Sequence, residues 1–171
     1  SAKEAPRLAE MTEALTPRGR ALLDAAPLFW RLDEFGVLVV HGGIPGDLKA
    51  FPDSPDEVDR MDKKAREKFL KIIRTRYIEQ GAGAFVGLGK ERPGDRFWAE
   101  VYDGRFGHVV FGHQPFFDGP AEFPHATGID TGAVHGTGLT ALVLEAGRAR
   151  RFVRVETPVY KPRRTLEPDD A

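Results

Sequence analysis

Phe35-Gly36-Val37-Leu38-Val39-Val40-His41-Gly42-Gly43 decides the fold class. An unbroken aliphatic run rich in β-branched residues has the composition of a strand buried on both faces, the kind found in α/β sheets. The run stops abruptly at an imidazole followed by two glycines. A second stretch repeats the device: Val109-Val110-Phe111-Gly112-His113-Gln114-Pro115 again leads from an apolar strand through glycine into a histidine and a turn. Residues that follow such strands stand at the C-terminal edge of an open α/β sheet, where ligands bind. Neutral imidazole is the commonest metal ligand, and glycine beside it allows close approach of a metal or phosphate. Each histidine taken alone is as well explained by packing and a loop hydrogen bond; the same device found twice argues for two corners of one site.

Asp130, in Gly128-Ile129-Asp130-Thr131-Gly132, also follows a short apolar segment. A carboxylate there can hold a ligand histidine in one tautomer through its second nitrogen, or it can close an Asx-turn before Gly132; spacing leaves both open. His135, before Gly136, is a further candidate for the same rim. His108, at the start of its strand, and His125, beside Pro124, read as structural or solvent-facing.

Outward from these stretches, Leu8, Met11 and Leu15 recur at helical spacing, and Thr16-Pro17 starts a second short helix whose apolar face is Leu22-Leu23. Ser54, Pro55 and Glu57 predict a capping box opening a helix over 54–80, with Val58, Met61, Ala65, Phe69, Ile72 or Ile73, and Tyr77 on one stripe. Lys63, Lys64, Arg66, Lys68, Lys71 and Arg74 occupy the opposite face, as a solvated surface or one that steers phosphate. The glycine-rich stretch 81–94 lacks the strand, helix and Gly-Lys-Ser/Thr of a phosphate-binding loop and reads as a plain loop. Strands are expected at 139–144 and 151–155. The organisation expected is one domain over 1–157, with 54–94 as a helical and loop insertion and 158–171 as an extended or disordered tail.

At 171 residues the chain has room for one domain. Twenty-five Lys and Arg against 26 Asp and Glu leave a net charge of −1, so there is no global electrostatic case for nucleic acid or an anionic membrane as partner. The absence of cysteine excludes disulfides, thiolate metal sites and cysteine nucleophiles. No aliphatic run approaches the roughly 20 residues of a membrane span, and no secretory h-region is seen, so a cytoplasmic location is expected.

Val-Val-His-Gly-Gly-Ile-Pro, Val-Val-Phe-Gly-His-Gln-Pro and Gly-Ile-Asp-Thr-Gly-Ala-Val-His-Gly-Thr-Gly-Leu-Thr-Ala-Leu, in that order, resemble the C-terminal half of a calcineurin-like metallophosphoesterase. Within that superfamily the likeness is to the phosphoprotein-phosphatase-type branch, which includes bacterial serine/threonine phosphatases and symmetrical diadenosine tetraphosphatases. It covers residues 28–144 apart from 54–94. The resemblance implies an α/β fold, the C-terminal half of a β-sandwich flanked by helices, and hydrolysis of phosphate esters at a dinuclear metal centre. It makes His41 and His113 metal ligands, Asp130 a site-adjacent carboxylate, and His135, Gly42 and Gly43 substrate-proximal. The implied cofactors are two divalent ions about 3.5–4 Å apart, manganese ahead of iron or zinc. A phosphoprotein or a dinucleoside polyphosphate would be the substrate.

The family's N-terminal motifs, Asp-x-His, Gly-Asp-x-x-Asp-Arg-Gly and Gly-Asn-His-Asp/Glu, do not occur in this chain. The expectation is therefore a fragment, one chain of a split protein, or a degenerate relative whose site is completed by an N-terminal segment or second chain. From another functional class, a non-catalytic binding or assembly module keeping half of the phosphatase fold is the alternative.

Overall fold

The computed structural model describes residues 5–160. Helices α1 (Ala5–Ala14) and α2 (Pro17–Asp24) precede β1 (Phe29–Leu32) and β2 (Val37–Val40). Short helices α3 (Pro55–Asp59) and α4 (Lys63–Phe69) follow, then β3 (Tyr77–Ile78), β4 (Phe85–Val86), β5 (Arg96–Phe97) and α5 (Trp98–Val101). The remaining strands are β6 (His108–Phe111), β7 (Ala121–Phe123), β8 (Ala126–Gly128), β9 (Leu139–Val143) and β10 (Arg151–Val155).

The chain is mixed α/β, built on a five-stranded sheet of order β1-β2-β6-β8-β7 with two smaller sheets, β10-β9 and β4-β3-β5. Its centre is parallel, β2 with β6 and β6 with β8, and its outer pairs are antiparallel. The parallel centre is why Val37–Val40 and Val109–Phe111 read as unbroken apolar runs: one face of these strands enters the core and the other lines an apolar cleft. Because successive side chains alternate, Phe29, Leu38, Val40, Val109, Phe111 and Ala126 share the face that enters the main core. They meet Ile44, Val58, Phe69, Ile72 and Trp98 there, each no more than 1% exposed. Val39 and Val110 on the opposite face, with Trp30 of β1, line a cleft shared with Leu139 and Thr140 of β9.

Thr16 caps α2 as expected, its Oγ1 accepting from the Gly19 amide at 3.1 Å. Leu22 and Leu23, however, are 73% and 60% exposed, so the apolar face expected of that helix faces solvent. The single helix expected over 54–80 is a larger departure. Its stripe is buried as predicted at Val58 and Phe69, but the backbone breaks after Asp59 and restarts at Asp62, whose Oδ1 accepts from the Ala65 amide at 2.9 Å. A 3₁₀ turn over Leu70–Ile73 then leads into β3, where Tyr77 pairs with Val86 and Phe97. Nor does the capping box form: Ser54 makes no side-chain cap bond, and Glu57 instead accepts from the Asp53 amide at 3.2 Å. Tertiary packing overrides helical propensity here, because a straight helix would carry Ile72 and Tyr77 away from the sheet they pack and pair with. The 81–94 loop contains β4, and the tail's Val159 forms a β-bridge with His135. The rest of the expected tail, 161–171, lies outside the described residues.

His108 supplies a pH-dependent element at the opposite end of β6 from His113. Its Nε2 lies 2.8 Å from Thr127 Oγ1 and 2.9 Å from Arg150 Nη1, while Arg150 Nη2 donates to Glu122 at 2.8 Å. Burial, then the Arg150 charge and His125, hold the imidazole below its ordinary pKa; Glu122 pulls the other way. The unfolded chain thus takes up a proton near the ordinary imidazole value and the folded chain only below it, so stability falls as pH drops through that window. The midpoint of thermal unfolding is expected to be lower at about pH 5.5 than at about pH 7.5, with a shallower slope in His108→Gln. Parallel slopes in the two proteins would count against this role.

Candidate functional site

Strands β2 and β6 run in the same direction with Val40 level with Phe111, so the residues that follow them emerge side by side. His41 and His113 accordingly meet, their ring centroids 5.0 Å apart and the planes inclined by 62°. Strand β8 continues the row: Phe111 is level with Gly128, and Asp130 lies two residues beyond it. All three side chains line one cleft of about 520 Å³ whose walls include Trp30, Val39, Val110 and Leu139.

His113 is the one non-glycine residue with positive φ among the described residues, at 68°. The Gln114 amide donates to the Gly112 carbonyl at 2.8 Å, closing a tight γ-turn around it. Such a conformation costs about 1–3 kcal/mol and persists where its surroundings impose it, characteristically at functional sites. Two bonds impose it here. Gly112 N–H donates to the His41 carbonyl at 3.0 Å, and Arg76 Nη2 donates to the His113 carbonyl at 2.8 Å.

The glycines after His41 have a different physical reason from the one expected. The amides of Gly42 and Gly43 both donate to the Ile72 carbonyl at 2.9 Å. A Cβ on Gly42 would lie 2.6 Å from the Arg74 nitrogen, and one on Gly43 only 2.2 Å from Trp98 Nε1. The space they leave is filled by this chain's own turn and indole. Segment 72–76 therefore touches both histidine turns, at Gly42 and Gly43 through Ile72 and at His113 through Arg76.

Arg76 is the residue that pattern reading missed, because the helix assigned to 54–80 gave it no reason to approach His113. Its Nε and the Trp98 Nε1 are buried without hydrogen-bond partners among the described residues. Burial first, and then the positive charge of Arg76 and the second imidazole, lower the His113 pKa; Asp130 opposes them. The net effect favours the neutral ring, the form in which imidazole coordinates metal ions.

Asp130 Oδ1 accepts from the Gly132 amide at 3.0 Å, so the Asx-turn forms while the residue also lines the cleft. His135 stands further along this loop. Its ring lies edge-on to Phe117 with centroids 5.6 Å apart, and the cleft lining does not include it. Imidazole and carboxylate donors without thiolate suit a divalent ion of the manganese, iron or zinc kind. Among the described residues no three His, Asp or Glu are grouped to hold a metal ion. Nor is any described helix long and apolar enough to cross a membrane.

The mixed sheet delivers His41, His113 and Asp130 to one edge, and the resemblance to calcineurin-like metallophosphoesterases holds on comparison with known proteins. The chain is 32% identical over 120 residues to the asymmetrical bis(5'-nucleosyl)-tetraphosphatase PrpE of Oceanobacillus iheyensis, covering 70% of this chain and 40% of that protein. It is 33% identical over 121 residues to the proteins of the same name from Bacillus thuringiensis and Bacillus cereus, covering 71% of this chain and 41% of each. The chain thus spans about 40% of the length of the curated relatives it matches. These relatives are named asymmetrical tetraphosphatases, where the motifs pointed to a branch that includes serine/threonine phosphatases and symmetrical tetraphosphatases. No family model matches the chain.

Proposed function

We propose that this chain forms one wall of the active site of a metal-dependent phosphoric ester hydrolase, with dinucleoside polyphosphate as its substrate class. The observation that carries the reading is the 5.0 Å pairing of the His41 and His113 rings at the ends of adjacent parallel strands. The names of the relatives favour a dinucleoside polyphosphate over a phosphoprotein. The complete protein would have the metallophosphoesterase sandwich, its second half supplied by an N-terminal segment or another chain.

His41 and His113 would each hold a divalent ion, manganese first and iron or zinc next, with the other ligands coming from outside the described residues. Such ions supply water activation and neutralisation of phosphoryl charge when bound. The work of this chain is positioning. The γ-turn aims His113, Arg76 anchors that turn through its carbonyl, and the Ile72 carbonyl fixes the His41 turn through two amides. Asp130, its carboxylate oriented by the Gly132 amide, supplies negative charge beside His113 and favours an approaching cation.

The test is nucleotide release from diadenosine tetraphosphate, and hydrolysis of p-nitrophenyl phosphate, with and without Mn²⁺. It is run on the 171-residue chain alone and on a protein extended to the span of the relatives. Mn²⁺-dependent turnover in the extended protein is expected; its absence in both would sink the proposal. The second reading, a non-catalytic binding module, draws on the lack of a three-ligand group among the described residues. It predicts that the extended protein is also inert.

A further inference from the structure

The helix expected over 54–80 carried a basic face of six cations; the structure pairs two of them with carboxylates and seats two others on one aromatic ring, with Lys63 and Lys64 in neither group. Arg66 and Lys68 are paired with carboxylates, Arg66 with Asp59 at 3.1 Å and Lys68 with Asp47 at 2.9 Å. Lys71 and Arg74 have no carboxylate partner among the described residues. Both lie instead over the same aromatic ring, Lys71 Nζ 5.4 Å and Arg74 Cζ 5.9 Å from the centroid of Phe85. A cation–π seat of this kind orders a long side chain without neutralising it. Neither charge is neutralised by a carboxylate, so an anion reaching both would offset them.

The position of this pair is as informative as its charge. Lys71 and Arg74 belong to the turn whose Ile72 carbonyl accepts the Gly42 and Gly43 amides. A Cβ on Gly42 would touch the Arg74 nitrogen at 2.6 Å. Two residues on, Arg76 reaches the His113 carbonyl. Three cations thus fall within the six residues 71–76 that border both histidine turns, in a chain whose net charge is only −1.

We infer that Lys71 and Arg74, seated on Phe85, form a subsite for the phosphate chain that extends beyond the group held at His41 and His113. Its ligand class is a linear polyphosphate. A phosphorylated serine offers one dianionic group and leaves nothing for a second cationic pair to bind; a chain of several phosphates carries its charge onward over the 71–74 turn. The inference rests on the hydrolase reading only for the seat of the first phosphate. Binding itself needs no catalysis, so it is tested without turnover.

The experiment is calorimetric titration of the 171-residue chain with inorganic tripolyphosphate and with orthophosphate at low ionic strength, where exposed charges act most strongly. The Lys71→Ala/Arg74→Ala variant is expected to bind tripolyphosphate about tenfold more weakly, the loss of roughly 1.4 kcal/mol, with orthophosphate unaffected. Lys71→Arg/Arg74→Lys should restore the affinity. Lys63→Ala/Lys64→Ala, which removes the same charge from the start of α4, should leave it unchanged. Equal weakening by that control would mean a diffuse field and overturn the subsite. So would unchanged tripolyphosphate binding in Lys71→Ala/Arg74→Ala, or tighter binding of a phosphoserine peptide with the same dependence on these two residues. If the wild-type chain binds no tripolyphosphate the subsite is refuted, while the hydrolase reading is still judged separately by Mn²⁺-dependent turnover.

Discussion

Trp98→Ala is expected to lower the free energy of unfolding by about 3–5 kcal/mol, the usual cost of emptying a large aromatic site in a core, as measured by urea denaturation. The indole is 1% exposed. It sits edge-on to Phe111, with centroids 4.9 Å apart, and at 5.6 Å from Tyr102. It also rests against Gly43, so removing it leaves a void between the sheet and the His41 turn. Trp98→Phe separates packing from hydrogen bonding. It fills much of the volume and removes a buried N–H that has no partner among the described residues, so it should cost only about 1–2 kcal/mol. Gly43→Ala approaches the same contact from the other side and should be strongly destabilising, because its methyl would meet the indole nitrogen. A cost below about 1 kcal/mol for Trp98→Ala would show that the indole does not bridge sheet and turn as described.

His113→Gly should uncouple stability from function. The backbone at 113 has φ 68°, which glycine adopts freely and histidine only under strain. The variant is therefore expected to be at least as resistant to thermal unfolding as the parent. On the proposed reading it loses a metal ligand, and Mn²⁺-dependent hydrolysis by an active preparation should fall at least about 100-fold, more than is typical for disturbing a ligand's supporting partners. His113→Asn, tolerant of positive φ but a poor substitute for imidazole, should behave likewise. Retained Mn²⁺-dependent activity in both would remove His113 from the site. A large fall in thermal stability would instead mean that the imidazole's packing outweighs the strain of its turn.

Local patterns were enough for the strands and for the row of candidate side chains. Val37–Val40 and Val109–Phe111 are apolar on every residue because one face of these parallel central strands enters the core and the other lines an apolar cleft. A turn residue directly after such a run must fall at the sheet edge, so His41, His113 and Asp130 were legible as strand-end groups. The Thr16 cap was equally local, since a hydroxyl before a first-turn proline needs only the next three residues to act.

What stayed out of reach depended on partners distant in sequence. Helical periodicity over 54–80 identified Val58 and Phe69 as buried but could not show that the backbone breaks at Asp62 and turns at Leu70–Ile73 to meet Gly42 and Gly43. Arg76 became visible only when that turn placed it against a carbonyl 37 residues away. Leu22 and Leu23 were read as a packing face although nothing in the described fold covers them. Residue order along one strand settles which side chains face which way, through the two-residue repeat and the chemistry of the turn that follows. The distance between two strand ends, the sign of φ at His113, and the cations that border the site follow from sheet register and long-range hydrogen bonds, which exist only once the chain has closed on itself.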